Sequence, residues 1–259
     1  MRNEHLLGET GKDGSTDLLR RVTAIIGPFG SGKSELAIEL ALRAVSRYPG
    51  QVALADLDVL KPYFRSREAE ALLAEAGVEL IAPTGGLANT DLPIVPATLR
   101  GRLGRDDVHV IMDVGGDPVG ARALGSLSDV VAATDYDLLF VVNRNRPFAD
   151  SLDKLVAMAH EIMGACQLEI TGVVSNTHLM EETSLEDILG GLELSRQVAT
   201  ALQVEVRYLM VPELTQGLAA KPVDLPSLVT VRRRMRPAFM GGVVLKPVRL
   251  PPRAAGSER

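Results

Sequence analysis

The chain has 259 residues, 46% of them hydrophobic, with aromatics at only 3% and no Trp. That apolar content is enough for one large core, and the scarcity of rings makes the core aliphatic, as suits a parallel sheet covered on both faces. A net charge of −5 argues against a general nucleic-acid binder, and the single Cys166 excludes an internal disulfide or a multi-cysteine metal site.

Residues 1–20 are polar and aperiodic and read as a flexible leader without a signal-peptide apolar block. No apolar run has membrane-spanning length, so a cytoplasmic location is expected. Short apolar runs follow at 21–27, 51–56, 78–82, 108–113, 137–143, 169–175 and 204–211. Helical spacing separates them: Ser151–Ala165 aligns Leu152, Leu155, Val156, Ala159, Ile162 and Met163, and 184–203 aligns Leu185, Ile188, Leu189, Leu192, Ala199 and Leu202. Cys166 falls at the end of the first of these helices and reads as a packed, inert thiol. The alternation predicts a three-layer α/β fold, a mostly parallel sheet of about seven strands with helices on both faces. One domain is expected over 21–236, with a last helix before Pro237 and a Pro/Arg-rich tail over 237–259. Pro237, Gly241, Gly242 and Pro247 interrupt any amphipathic helix there, so the tail reads as an interaction segment or a strand packed back on the domain rather than a membrane anchor.

The most specific motif is Gly27-Pro-Phe-Gly-Ser-Gly-Lys-Ser34, placed between the β-branched run Val22–Ile26 and a helical run from Glu35. Strand, glycine loop and helix form the context of a phosphate-binding loop. Gly27, Gly30 and Gly32 let the backbone curl, so that N–H groups along Phe29, Gly30, Ser31, Gly32, Lys33, Ser34 and Glu35 face phosphate oxygens at a helix N-terminus. Lys33 is expected to reach the β- and γ-phosphates and to act catalytically, and the Ser34 hydroxyl to bind Mg²⁺.

The run His109–Met112 ends in Asp113, a strand-end carboxylate expected to hold Mg²⁺ through water. Three residues on, Gly116 is free of a Cβ where a backbone N–H meets the γ-phosphate; Asp117 either accepts a hydrogen bond inside that switch or caps the next helix. Asp56 and Asp58 stand at alternate positions of another strand end, where they would orient or deprotonate an attacking water, Asp58 being the stronger candidate. Asn176 closes a buried strand with a donor and an acceptor suited to adenine N6 and N7, and the backbone of Pro212 and Glu213 would line the other side of the base. Asn143-Arg144-Asn145-Arg146 lacks the Asp of a guanine motif, so ATP is preferred to GTP.

Together these segments resemble the MinD/ParA/CobQ class of P-loop ATPases over roughly residues 21–215. The resemblance implies Mg²⁺-dependent ATP hydrolysis, a nucleotide-dependent homodimer and a protein partner. Two departures stand out. Pro28 occupies the place of the second loop lysine of most members, for which Arg65 or Arg67 would have to substitute. Gly120 stands where the nitrogenase iron protein has its cluster cysteine, so no iron–sulfur cluster is implied. The octet is also similar to loops of nickel-insertion GTPases and of dethiobiotin synthetase. A nucleotide switch for partner assembly, maturation or positioning is therefore the leading expectation, with an ATP-dependent small-molecule synthetase or a metallochaperone GTPase as alternatives.

Overall fold

The computed structural model describes residues 19–58, 70–82, 95, 97–116, 118–147, 149, 151–179, 182–212 and 225–231. In chain order the elements are β1 (Val22–Ile26), α1 (Lys33–Arg47), β2 (Val52–Leu57), α2 (Glu70–Ala76), β3 (Glu79–Ile81), α3 (Ala97–Leu103) and β4 (His109–Val114). They continue with α4 (Pro118–Gly125), α5 (Ser128–Ala132), β5 (Tyr136–Val142), α6 (Leu152–Cys166), β6 (Gly172–Ser175), α7 (Leu185–Ala201), β7 (Glu205–Pro212) and β8 (Ser227–Val231).

The eight strands form one sheet in the order β3-β2-β4-β1-β5-β6-β7-β8, with every neighbouring pair parallel. Each of the seven apolar runs overlaps a strand. The eighth, Ser227–Val231, is an addition, and residues 232–236, directly before Pro237 where a last helix is expected, lie outside the described residues. The β-branched run Val229-Thr230-Val231 favours extended backbone, and pairing with β7 fixes it, burying Val229 while Leu228 stays exposed.

Strand alternation divides the core. Leu138, Phe140 and Val142 of β5 point to one face, where Leu155, Ala159 and Ile162 of α6 cover them. Leu139 and Val141 point to the other, against Leu36, Ile38 and Leu40 of α1. The apolar periodicity of α6 thus marks its buried stripe, and Cys166 ends it as a buried thiol whose pKa burial raises. The chain winds from β1 outward to β3, returns to β4 beside β1, then passes to β5 on the opposite side of β1. The winding reverses around β1, which is where a parallel α/β sheet opens a crevice at the carboxyl ends of its strands. The core therefore serves as a platform for three loop ends, those of β1, β4 and β5. Among the described residues, no helix is long and apolar enough to cross a membrane.

Candidate functional site

The link from β1 to α1 is built on glycine geometry. Gly27, Gly30 and Gly32 have φ of 141°, 71° and 93°. Gly32 is the N-cap of α1 in the left-handed conformation, and no side chain caps that helix. A helix N-terminus without a side-chain cap after a glycine loop is the geometry that suits an anion. α7 shows the contrast, because a Ser184–Asp187 capping box closes its own N-terminus. Gly32 is required on a second count: a Cβ there would run into the Asn176 amide, which donates through Nδ2 to the Ser31 carbonyl at 2.6 Å. Lys33 is only 6% exposed, and its ammonium folds back to donate to the carbonyls of Gly27 (3.1 Å) and Pro28 (3.2 Å).

The carboxylates come from the next two strands on that side. Register pairs Asp56 of β2 with Asp113 of β4. Asp113 is fully buried, and neither of its carboxylate oxygens makes a well-formed hydrogen bond. Burial first, then the charge of Asp56 and more weakly that of Asp58, pushes its pKa from 3.8 up to about 7. The Ser34 hydroxyl and the Lys33 ammonium oppose the rise but do not cancel it. The Lys33 charge leaves the carboxyl pair incompletely compensated, and the side chains of Asp56, Asp113 and Ser34 offer hard oxygens, which fits a small divalent cation such as Mg²⁺. Among the described residues no group of three or more His, Cys, Asp or Glu is arranged to hold a metal ion.

Asp58 follows β2 directly. Its backbone N–H donates to Asp56 Oδ1 at 3.1 Å, and its own Oδ1 lies 3.3 Å from where a Cβ on Gly115 would sit. Gly116 packs onto the glycine loop so closely that a Cβ would come within 2.9 Å of Lys33 Nζ and collide with the Gly27 carbonyl. Only glycine is compatible with this approach.

The structure thus brings Gly27, Gly30, Ser31, Gly32, Lys33, Ser34, Asp56, Asp58, Asp113, Gly116 and Asn176 to one corner. Phe29 projects from the loop with 56% exposure, and Glu35 lies half-buried in the first turn of α1. Pro212 ends β7, paired with Val231 of β8. Asp117, Glu213, Arg65 and Arg67 lie outside the described residues. One neighbour escaped the sequence reading: Arg146, beyond β5, donates through Nε to the Gly30 carbonyl at 2.7 Å. Its position in an arginine-bearing turn after an apolar strand was the available signal.

No protein-family model matches the chain, and no curated protein matches it. Among solved structures it is similar to the signal recognition particle 54 kDa protein of Aeropyrum pernix K1 in complex with GDP, at 20% identity and a TM-score of 0.45, covering 71% of this chain and 40% of that one. Cell division protein FtsY of Thermotoga maritima matches at 19% identity and 0.47, covering 72% and 60%. Chloroplast FtsY of Physcomitrella patens matches at 17% and 0.49, covering 74% and 61%. The chain spans from 40% to 61% of the length of these three proteins. Likeness at this level carries no weight for activity, nucleotide or partner, nor does it reach the narrower MinD/ParA/CobQ resemblance. The strand order and the glycine loop after β1 are those of a P-loop NTPase fold.

Proposed function

We propose that the chain is a Mg²⁺-dependent ATP-binding protein of MinD/ParA/CobQ type, hydrolysing ATP as a switch in the assembly, maturation or positioning of a partner protein. The observation that carries this reading is the buried Asp113 carboxylate, without a well-formed hydrogen bond, beside Ser34 and Lys33 at the uncapped head of α1. Ser34 and Asp113 would hold Mg²⁺, which when bound neutralises charge on phosphate oxygens. Lys33 exchanges the carbonyls of Gly27 and Pro28 for phosphate oxygens, and the N–H groups of the loop and first helical turn orient the chain of phosphates. Asp58, at the edge of the same corner, orients or deprotonates the attacking water, with Asp56 holding its backbone. Gly116 bears on Lys33 and links the loop after β4 to occupancy of the phosphate site. Asn176 spends one amide hydrogen on Ser31 and keeps its second, with the carbonyl oxygen, for adenine.

A cytoplasmic, nucleotide-dependent homodimer with one domain over 21–236, a leader and an interaction tail belongs to the same proposal. The test is hydrolysis of ATP against GTP by wild type and Lys33→Ala, with and without Mg²⁺, alongside mass measurement in each nucleotide state. Mg²⁺-dependent ATP turnover, abolished in Lys33→Ala and increased by a protein partner, is the expected result. No calorimetric heat with either triphosphate would overturn the nucleotide site, and turnover that requires a metabolite would overturn the switch.

A further inference from the structure

β5 lies against β1 in parallel, with Phe140 opposite Ile26, so the turn after Val142 emerges beside the glycine loop. That turn is fixed by its own hydrogen bonds. The Asn145 N–H donates to Asn143 Oδ1 at 3.0 Å, and the Arg146 N–H to the Asn143 carbonyl at 3.2 Å. Asn143 is fully buried, which anchors the turn. The turn sends its two arginines in different directions. Arg144 packs on α7, where a Cβ on Gly190 would run into its guanidinium and where its charge adds to the Ser184 hydrogen bonds that lower the pKa of Asp187. Arg146 lies on Gly30 instead, with Nε, Cδ and Cζ only 3.2, 3.5 and 3.5 Å from where a Cβ would sit.

Arg146 is half-buried, yet among the described residues no carboxylate lies within ion-pair distance of it. Burial lowers its pKa with no acid opposing the shift. An arginine cannot escape this cost by losing its proton, so a partly desolvated guanidinium calls for an anion. Its bond to Gly30 uses Nε alone, leaving the four Nη hydrogens in the planar fork that matches phosphate oxygens.

We propose that Arg146 is a second cation for the polyphosphate, completing from the β5 side the charge that Lys33 supplies from α1. This rests on the reading that Gly27–Ser34 holds a nucleoside triphosphate. The guanidinium stays tethered to the Gly30 carbonyl through Nε and turns its Nη groups to the phosphates when nucleotide enters.

The experiment is MgATP affinity by calorimetry across a salt series for wild type, Arg146→Ala, Arg146→Gln and Lys33→Ala. Arg146→Gln keeps an N–H donor for the Gly30 carbonyl and removes the charge, and it serves as the folded comparison if Arg146→Ala is destabilised. Arg146→Gln is expected to bind MgATP about tenfold to a hundredfold more weakly, with a shallower dependence on salt. Wild-type affinity and salt dependence in Arg146→Gln would overturn the inference, because a tether to Gly30 would then be the whole role. If that happened while Lys33→Ala still lost affinity, the phosphate-loop reading would stand. An unchanged Lys33→Ala would remove that reading itself.

Discussion

Replacing Asp113 by Asn should make the nucleotide-free protein more stable while removing its capacity for Mg²⁺. The Asp113 carboxyl is fully buried and aligned with Asp56 across the β2–β4 ladder, and its pKa is raised from 3.8 to about 7. Between those two values the native state holds a proton that the unfolded chain has released. Stability must therefore fall as pH rises through that window, the reverse of a salt-bridged carboxylate. The full rise corresponds to about 4 kcal/mol, and the part between about pH 5 and pH 8 to about 3 kcal/mol. Burial is complete, so solvent screening takes little from this figure. The amide introduced by Asp113→Asn cannot ionise, and its hydrogens are suited to the neighbouring Asp56. Urea unfolding of both proteins in chelator at about pH 5 and about pH 8 gives the comparison, since every other titrating group is common to the two. Wild type should lose about 3 kcal/mol relative to the variant across that range. MgATP should stabilise wild type at the higher pH and leave the variant nearly unmoved. Parallel pH profiles for the two proteins would refute the account of Asp113.

Gly116→Ala places a methyl group against the Gly27 carbonyl and within 2.9 Å of Lys33 Nζ, so turnover should fall about a hundredfold through misplacement of the loop, as steady-state hydrolysis at saturating MgATP would register; unimpaired turnover would mean the approach is not used. Phe140→Ala removes the largest fully buried side chain from the α6-facing core and should cost about 3–5 kcal/mol, lowering the urea midpoint without altering the slope of the transition. A loss below about 1 kcal/mol would show that the core collapses around the cavity.

What the sequence made legible was mostly local. Gly27–Ser34 is a contiguous string whose spacing encodes its own curl, and the apolar runs declare strands because a parallel sheet buries both faces. Asp113 could be placed at a strand end for the same reason. What stayed hidden depends on which strand lies beside which. Asp56 and Asp58 read as a pair on one strand, but the decisive partner of Asp56 is Asp113, more than fifty residues away, brought opposite only because β2 packs beside β4. Arg146 was read within its own turn for a missing aspartate, whereas its meaning comes from β5 lying next to β1. Asn176 lies one residue past β6, close to the expected strand end, but its bond to Ser31 needed the position of α1. β8 escaped because five residues with one fully buried side chain carry little periodic signal before pairing supplies the rest.

These long-range pairings also explain the imbalance of charge in the site. Two acids meet at the β2–β4 ladder on one side of the glycine loop, while an arginine without an acid partner among the described residues rests on the other side. Direct neutralisation between them would require contact, and the loop stands in between, with Arg146 bound to Gly30 and Lys33 bound to Gly27 and Pro28. On the proposed reading, a ligand that carries both a divalent cation and a chain of anionic oxygens would relieve both sides in a single binding event. The cation would meet the acids, and the oxygens would meet Lys33 and Arg146. Neither a bare metal ion nor a bare polyphosphate does this, so the affinities of the two should be strongly coupled, each ligand raising the affinity for the other by the same factor.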